Sequence, residues 1–295
     1  MLGDCEHYAS PYMRGVSQAM GLLGHPHAEV SIRLSAKDIA QRIGMWKPDV
    51  LWTHMLLWSP TGSPRVEELI QIVSAAAKAG ARVIIHDGDA KPSTRYPHDL
   101  SAWCALALVN HEYDRSAWRV PVLRWPYFAA TQKEIAKPVT SLRCGLFFAG
   151  TVGGGIYSAR TALLDAIRSR GVDIRIPEPG KNTIDRTPEI ASSSDAVLGF
   201  GRPSVPGWVD TRVFQYSGAG GILLHDDVQG YLEPWTHFVP YQSNSAESVS
   251  EAIARLSTLS DSGKMSIRQR AFAHVQAHHS SRARVRQVLA QLEMA

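Results

Sequence analysis

Short apolar runs alternate with longer amphipathic stretches along most of this chain, and the two patterns separate cleanly. In the first half, residues 30–34, 50–58, 81–86, 105–109 and 120–123 are apolar runs that read as strands. Between them, 10–23, 35–43 and 66–79 repeat apolar residues at helical spacing. Ser10 before Pro11 suits an N-cap followed by a first-turn proline, and Gly80 ends the third helix. Met1-Leu2 leads into Gly3-Asp4 like the end of a strand, a short approach for a central one. Strand and helix alternate throughout, so a parallel sheet covered on both faces is predicted.

Residues 130–142 (ATQKEIAKPVTSL) lack an apolar period and read as a linker. A second set follows, with strands over 146–149, 172–176, 196–200 and 221–225. Helices are predicted over 157–170, 213–219 and 246–256, with one or two more over 266–292. The chain has 295 residues, too long for one ordinary domain. The expected organisation is an α/β domain over 1–135, a second over 143–275, and a helix over 276–295 that packs back on the first.

Composition narrows the class. Hydrophobic residues make up 44% of the chain, enough for a core in each half. No apolar stretch reaches about 18 residues, so no transmembrane helix is expected. The opening MLGDCEHY lacks the basic-then-apolar order of a signal peptide. Cys5, Cys104 and Cys144 are odd in number and form no CxxC, which argues against a disulfide framework or structural zinc and suits a cytoplasmic protein. A net charge of +4 permits phosphate or nucleic-acid binding without demanding it.

Ligands of open α/β sheets bind beyond the carboxyl ends of strands, so polar groups there carry the chemistry. Phe148-Ala149-Gly150-Thr151-Val152-Gly153 joins a predicted strand to a helix. Its glycines let backbone N–H groups approach a diphosphate, Thr151 adds a hydroxyl, and Arg160 lies in the first turns of the helix. The alternative is a plain inter-element turn, and the run is neither GxGxxG nor a P-loop. A second signal is Val209-Asp210-Thr211-Arg212-Val213-Phe214-Gln215, then a glycine turn, a buried strand and His225-Asp226-Asp227. Arg212 at a helix start either clamps phosphate or pairs with Asp226 or Asp227. Gln215, one turn on, is placed to bond ribose hydroxyls, and Asp210 belongs with this nucleotide-binding set.

The run TRVFQYSGAGGILLHDD, then YLEP, HFVPYQSNSAESVSEAIARL and HHSSRARVRQVL, resembles the C-terminal domain of the CgeB/YkvP-like glycosyltransferases, relatives of glycosyltransferase group 1. The resemblance covers about 144–290. It implies a GT-B fold, two Rossmann-like parallel-sheet domains facing a central cleft, with a nucleotide diphosphate sugar held by the second. It implies that Arg212 contacts the diphosphate, that the Gly150 loop lies under it, and that Gly201 and Arg202 flank the nucleotide. The donor is expected to be a UDP-sugar, with no prosthetic group and no metal. Two positions depart from the family. Gln215 stands where relatives use Glu on the ribose, and the acidic residue of retaining enzymes falls on Gly207.

Glycosyl transfer with inversion needs a base on the acceptor hydroxyl. In a GT-B protein it comes from the first domain, where Asp87 ranks first, then His7 and Asp4, with Glu6, His54 and Asp89 as further strand-end groups. Asp87-Gly88-Asp89 also spells the DxD that holds metal in GT-A enzymes, a reading ranked lower. Arg95, Arg115, Arg119 and Arg124 interleave with Tyr96, Tyr113, Trp118, Trp125 and Tyr127, either as packing or as a nucleic-acid surface. The expected enzyme is a hexosyltransferase-like transferase acting on a glycan, a protein or hydroxymethylated DNA. The remaining alternative is a relative that binds the nucleotide sugar without turnover.

Overall fold

The computed structural model describes residues 2–3, 10–31, 34–54, 66–87, 96–110, 118–150, 152–153, 158–177, 186–201 and 209–293. These fall into two compact units. The first takes residues up to Tyr127 and again from Ser281, and the second takes those between Phe128 and Ser280.

Unit 1 contains β1 (Leu2–Gly3), α1 (Ser10–Leu22), β2 (Val30–Ser31), α2 (Ala36–Trp46), β3 (Val50–His54), α3 (Val66–Lys78), β4 (Arg82–Asp87), α4 (Tyr96–Ser101), β5 (Leu106–Val109) and β6 (Val122–Arg124). Strands β3-β4-β5-β6 form one parallel sheet in that order, and β1 pairs with β2. Every residue of β4 after Arg82 is buried, as a strand covered on both faces requires. Ser35 caps α2: its hydroxyl oxygen accepts the Asp38 N–H and donates to the Asp38 carboxylate.

The last helix belongs to this unit. The predicted 266–292 segment is two helices, α9 (Asp261–His278) and α10 (Ser281–Glu293). They break at His279–Ser280, where Ala129 makes a parallel bridge to Ser280 and its N–H bonds His279 O at 3.0 Å. Beyond the break α10 packs on α1, buries Val285, Val288 and Leu292, and receives the Arg82 guanidinium on Leu292 O at 2.6 Å.

Unit 2 contains β7 (Cys144–Phe147), α5 (Ser158–Ser169), β8 (Ile174–Arg175), α6 (Thr187–Ser193), β9 (Ser194–Leu198), α7 (Thr211–Ser217), β10 (Leu223–His225), β11 (Phe238–Pro240) and α8 (Ala246–Ser257), together with α9. Its sheet is parallel in the order β11-β10-β9-β7-β8. Alternation along the strands sorts two cores. Leu146, Ala196, Leu198, Leu224 and Val239 face α5 and α8. Phe147, Val197, Leu223 and Phe238 face the other way, toward residues of α6, α7 and α9. The sheet is therefore doubly wound. Its order reverses between β7 and β9, and that switch point is where such sheets bind ligands.

Residues 130–142 are fastened to unit 2 rather than free. The Gln132 N–H bonds Gln276 Oε1 at 3.0 Å, the Val139 N–H bonds Ser193 Oγ at 2.8 Å, and 140–142 form a 3-10 turn. Among the described residues no helix is long and apolar enough to cross a membrane, and Cys104 and Cys144 are half-buried free thiols.

Candidate functional site

At the switch point β7 runs into Phe148-Ala149-Gly150 and β9 into Gly199-Phe200-Gly201. Phe148 is fully buried and meets the Phe200 ring edge-on at 5.1 Å, so the two turns share one aromatic floor. Two guanidinium groups lie over it. Arg212 stands 5.5 Å from the Phe148 centroid, and Arg160 stands 5.8 Å from Phe148 and 5.7 Å from Phe200. Aromatic faces attract such cations and hold them in place.

Arg212 is fixed from below. Asp210 caps α7 by accepting the Arg212 N–H at 3.1 Å, and its carboxylate takes Arg212 Nη1 on both oxygens, at 2.7 and 2.6 Å. Arg212 Nε donates to Ala149 O at the end of β7. The pairing with Asp226 or Asp227 weighed from the sequence is not formed; the partner is Asp210, two residues away. Asp210 is 1% exposed, so it orients the guanidinium instead of meeting a ligand itself. Burial, the largest influence, would raise the Asp210 carboxyl, but the Arg212 and His225 charges and the hydrogen bonds from Arg212 together outweigh it, and the pKa falls below the ordinary 3.8. Burial likewise pulls Arg212 down, and the Asp210 charge and hydrogen bonds together with Tyr216 outweigh it, so its pKa is raised.

The remaining nitrogen, Nη2, points at the Gly150 turn. A Cβ on Gly150 would lie 2.6 Å from it and 2.4 Å from Phe148 Cζ, so only glycine allows this approach. Gly153 has φ of 132°, and its N–H bonds Thr161 Oγ1 on α5 at 2.9 Å. The Gly153 amide is thus occupied by the protein.

The other turn is shaped by the end of β10. Gly201 donates its N–H to Asp226 Oδ1 at 2.5 Å, and Ser243 Oγ donates to Asp226 Oδ2 at 2.6 Å. Tyr241 OH donates to Gly199 O at 2.7 Å. His225 is fully buried with its ring against Gly199, where a Cβ would lie 2.4 Å from Cδ2. Sequence reasoning placed His225 and Asp226 in the second signal but weighed Asp226 only as a partner of Arg212, and it missed Ser243. The hint of this turn was an acidic pair after a buried strand.

Of the nucleotide-binding residues expected, Gly150, Arg160, Gly201, Asp210 and Arg212 come together here. Gln215 is half-buried on α7. Thr151 and Arg202 lie outside the described residues, as do Asp4, Glu6, His7 and Asp89. In unit 1, Asp87 ends β4 and is buried. Beside it in sequence, His86 packs with His54, Tyr12 and Tyr127, with ring centroids 4.5, 4.6 and 5.5 Å away. His54 is fully buried and 3.4 Å from Tyr127 Oη, which fits the packed-histidine reading. Trp118 and Trp125 are core residues, not a nucleic-acid surface. Among the described residues no group of three or more His, Cys, Asp or Glu is placed to hold a metal ion.

Residues 160–290 match the family model described as glycosyl transferase-like. That segment is similar to the family over less than half of the chain. No curated protein matches the chain by sequence. Solved structures do match by fold. A glycosyltransferase from Rickettsia africae ESF-5 has a TM-score of 0.62 at 10% identity, over 100% of this chain and 96% of its own. Anabaena HepE, solved with UDP-glucose, has a TM-score of 0.58 at 10% identity, over 95% and 89%. T4 phage BGT, also solved with UDP-glucose, has a TM-score of 0.59 at 10% identity, over 99% and 96%. The chain therefore has the GT-B fold, and the paired arginines lie within the segment that matches the family model.

The site also sets an acid limit. His225 is held below its ordinary 6.5 by burial, against the pull of Asp210 and Asp226, and His237 is lowered by burial and by His274. A histidine whose folded pKa is depressed binds its proton more readily when unfolded. Stability is therefore full above about 6.5 and is lost as pH falls below it, before Asp210 begins to titrate. The melting temperature is expected to drop between pH 7.5 and 5, and less so in His225→Asn. A flat profile across that range would contradict this.

Proposed function

We propose that this protein is a glycosyltransferase that moves a sugar from a nucleoside diphosphate sugar, UDP-linked, to an acceptor hydroxyl without a metal. The observation that carries the reading is the pair of arginines over the Phe148–Phe200 floor at the switch point of a glycosyl transferase-like domain. Two neighbours of the same fold were solved with UDP-glucose, which supports the choice of donor.

In this reading Arg212 Nη2 and Arg160 meet the diphosphate, and the Gly150–Gly153 turn with Thr151 lies against it. Gly201 and Arg202 border the nucleotide, and Gln215 bonds the ribose. The acceptor oxygen attacks the anomeric carbon, the bond to the diphosphate oxygen breaks, and the arginines stabilise the leaving charge. The acceptor proton passes to a basic side chain of unit 1, the Asp87 carboxylate being first choice ahead of the His7 imidazole and the Asp4 carboxylate.

UDP-glucose in the presence of EDTA is expected to raise the melting temperature. At a hundredfold excess over Kd the stabilisation is about 2.7 kcal/mol, a shift of about 5 °C or more. Absence of any shift with UDP-, GDP- or ADP-glucose would sink the reading. Slow hydrolysis of the bound donor would separate an enzyme from a relative that only binds it.

A further inference from the structure

His225 is a buried titratable side chain at this site that the proposed chemistry does not use. Its surroundings are charged. Asp210 and Asp226 face it as acids, Asp227 adds a third carboxylate, and among the described residues Arg212 faces it as a cation. Its Nδ1 accepts the Asp227 N–H at 3.0 Å and lies 3.3 Å from Asp226 Oδ1. Its Nε2 has no hydrogen-bond partner among the described residues. Because Nδ1 accepts, the neutral ring carries its proton on Nε2, which is buried and unsatisfied.

This is an unfavourable place for a neutral imidazole once more negative charge arrives. Without a ligand, the Arg212 charge is spent on Asp210, and burial keeps His225 neutral. A diphosphate at Arg212 Nη2 draws on the same guanidinium and adds anionic charge beside three carboxylates. In a low-dielectric interior that field acts on His225 strongly. We propose that binding of the donor diphosphate at Arg212 is linked to uptake of a solvent proton by His225. The inference rests on the donor reading above and deepens it.

The incoming proton has a defined place. It binds Nδ1, converts the 3.3 Å approach to Asp226 Oδ1 into an N–H⁺···O⁻ bond, and displaces the Asp227 N–H from that atom. Asp226 also holds the Gly201 N–H and the Ser243 hydroxyl. Protonation therefore acts on the group that shapes the turn after β9. His225 is a positioning residue, not a catalytic one: it acts through Asp226 and Asp210.

The test is calorimetry with UDP-glucose at pH 7 in buffers of different ionisation enthalpy. UDP-glucose is the right probe because its diphosphate is fully esterified and does not titrate near neutrality, whereas free UDP does. The observed enthalpy is expected to rise with buffer ionisation enthalpy, reporting uptake of a fraction of a proton and at most one. In His225→Asn, whose amide oxygen can replace Nδ1 as acceptor for the Asp227 N–H, the slope is expected to vanish. Asp226→Asn, which keeps an acceptor for Gly201 but removes a charge facing the ring, is expected to reduce it. This second variant carries the test if the first does not fold. Tight binding with zero slope in the parent, or a slope unchanged in the variants, overturns the inference while leaving the donor reading intact. Absence of any binding overturns the donor reading and this inference together.

Discussion

Replacing Arg212 by alanine is expected to abolish stabilisation by UDP-glucose and to weaken the fold at the same time. The two effects share one cause. Arg212 joins Asp210 to the end of β7 through Nη1 and Nε, and leaves Nη2 toward the Gly150 turn. Removing it strands a carboxylate that is 1% exposed, and breaking a buried pair in this way costs about 3–5 kcal/mol. A binding loss measured on a weakened protein is ambiguous, so Arg212→Lys is the informative partner. Lysine keeps a positive charge beside Asp210 but lacks the planar fork that reaches Asp210, Ala149 and a ligand together. It should retain more of the melting temperature than alanine and still lower donor affinity by about 10–100-fold. If Arg212→Ala binds UDP-glucose as tightly as the parent, the site is misplaced.

The largest effect on stability alone is expected at Arg268. Its Nη1 donates to Ala191 O at 2.9 Å and Gly220 O at 2.8 Å, and its Nη2 to Ser194 O at 2.5 Å. One side chain of α9 thereby satisfies carbonyls from α6, from the start of β9 and from the turn after α7. Burial lowers its pKa, yet a guanidinium stays charged at any ordinary pH. Charge-assisted bonds of this kind contribute about 1.5–3 kcal/mol each, and they are not additive. Arg268→Ala should therefore cost about 3 kcal/mol in urea unfolding, or about 10 °C in melting temperature. A loss under about 1 kcal/mol would mean that solvent already competes for these carbonyls.

Much of this architecture was legible in the sequence because long, strongly periodic segments announce themselves. α3, β4, α5 and α8 lie within a few residues of their predicted positions. The Gly150 turn and Arg212 stood out because glycines after a strand and an arginine at a helix start have local meanings. What escaped notice has no local signal. β11 is three residues long. α6 ends in Ser192 and Ser193, poor helix formers that settle here because both hydroxyls donate back to Glu189 O. The partner of Arg212 was sought across the strand end, whereas the nearer Asp210 took it. Asp226 looked free for that pairing, but Gly201 and Ser243 already use it, and both are remote in sequence. The aromatic floor is of the same kind, since Phe148 and Phe200 meet only because β7 and β9 are neighbours.

The membership of α10 has a consequence for how the chain is made. A ribosome delivers the residues up to Tyr127 before unit 2, yet the helix that covers α1 and anchors Arg82 emerges only after unit 2. At about 5–20 residues per second, translating unit 2 delays that helix by on the order of 10 s. The half made before unit 2 thus waits, with one apolar helix face uncovered, until unit 2 has left the ribosome.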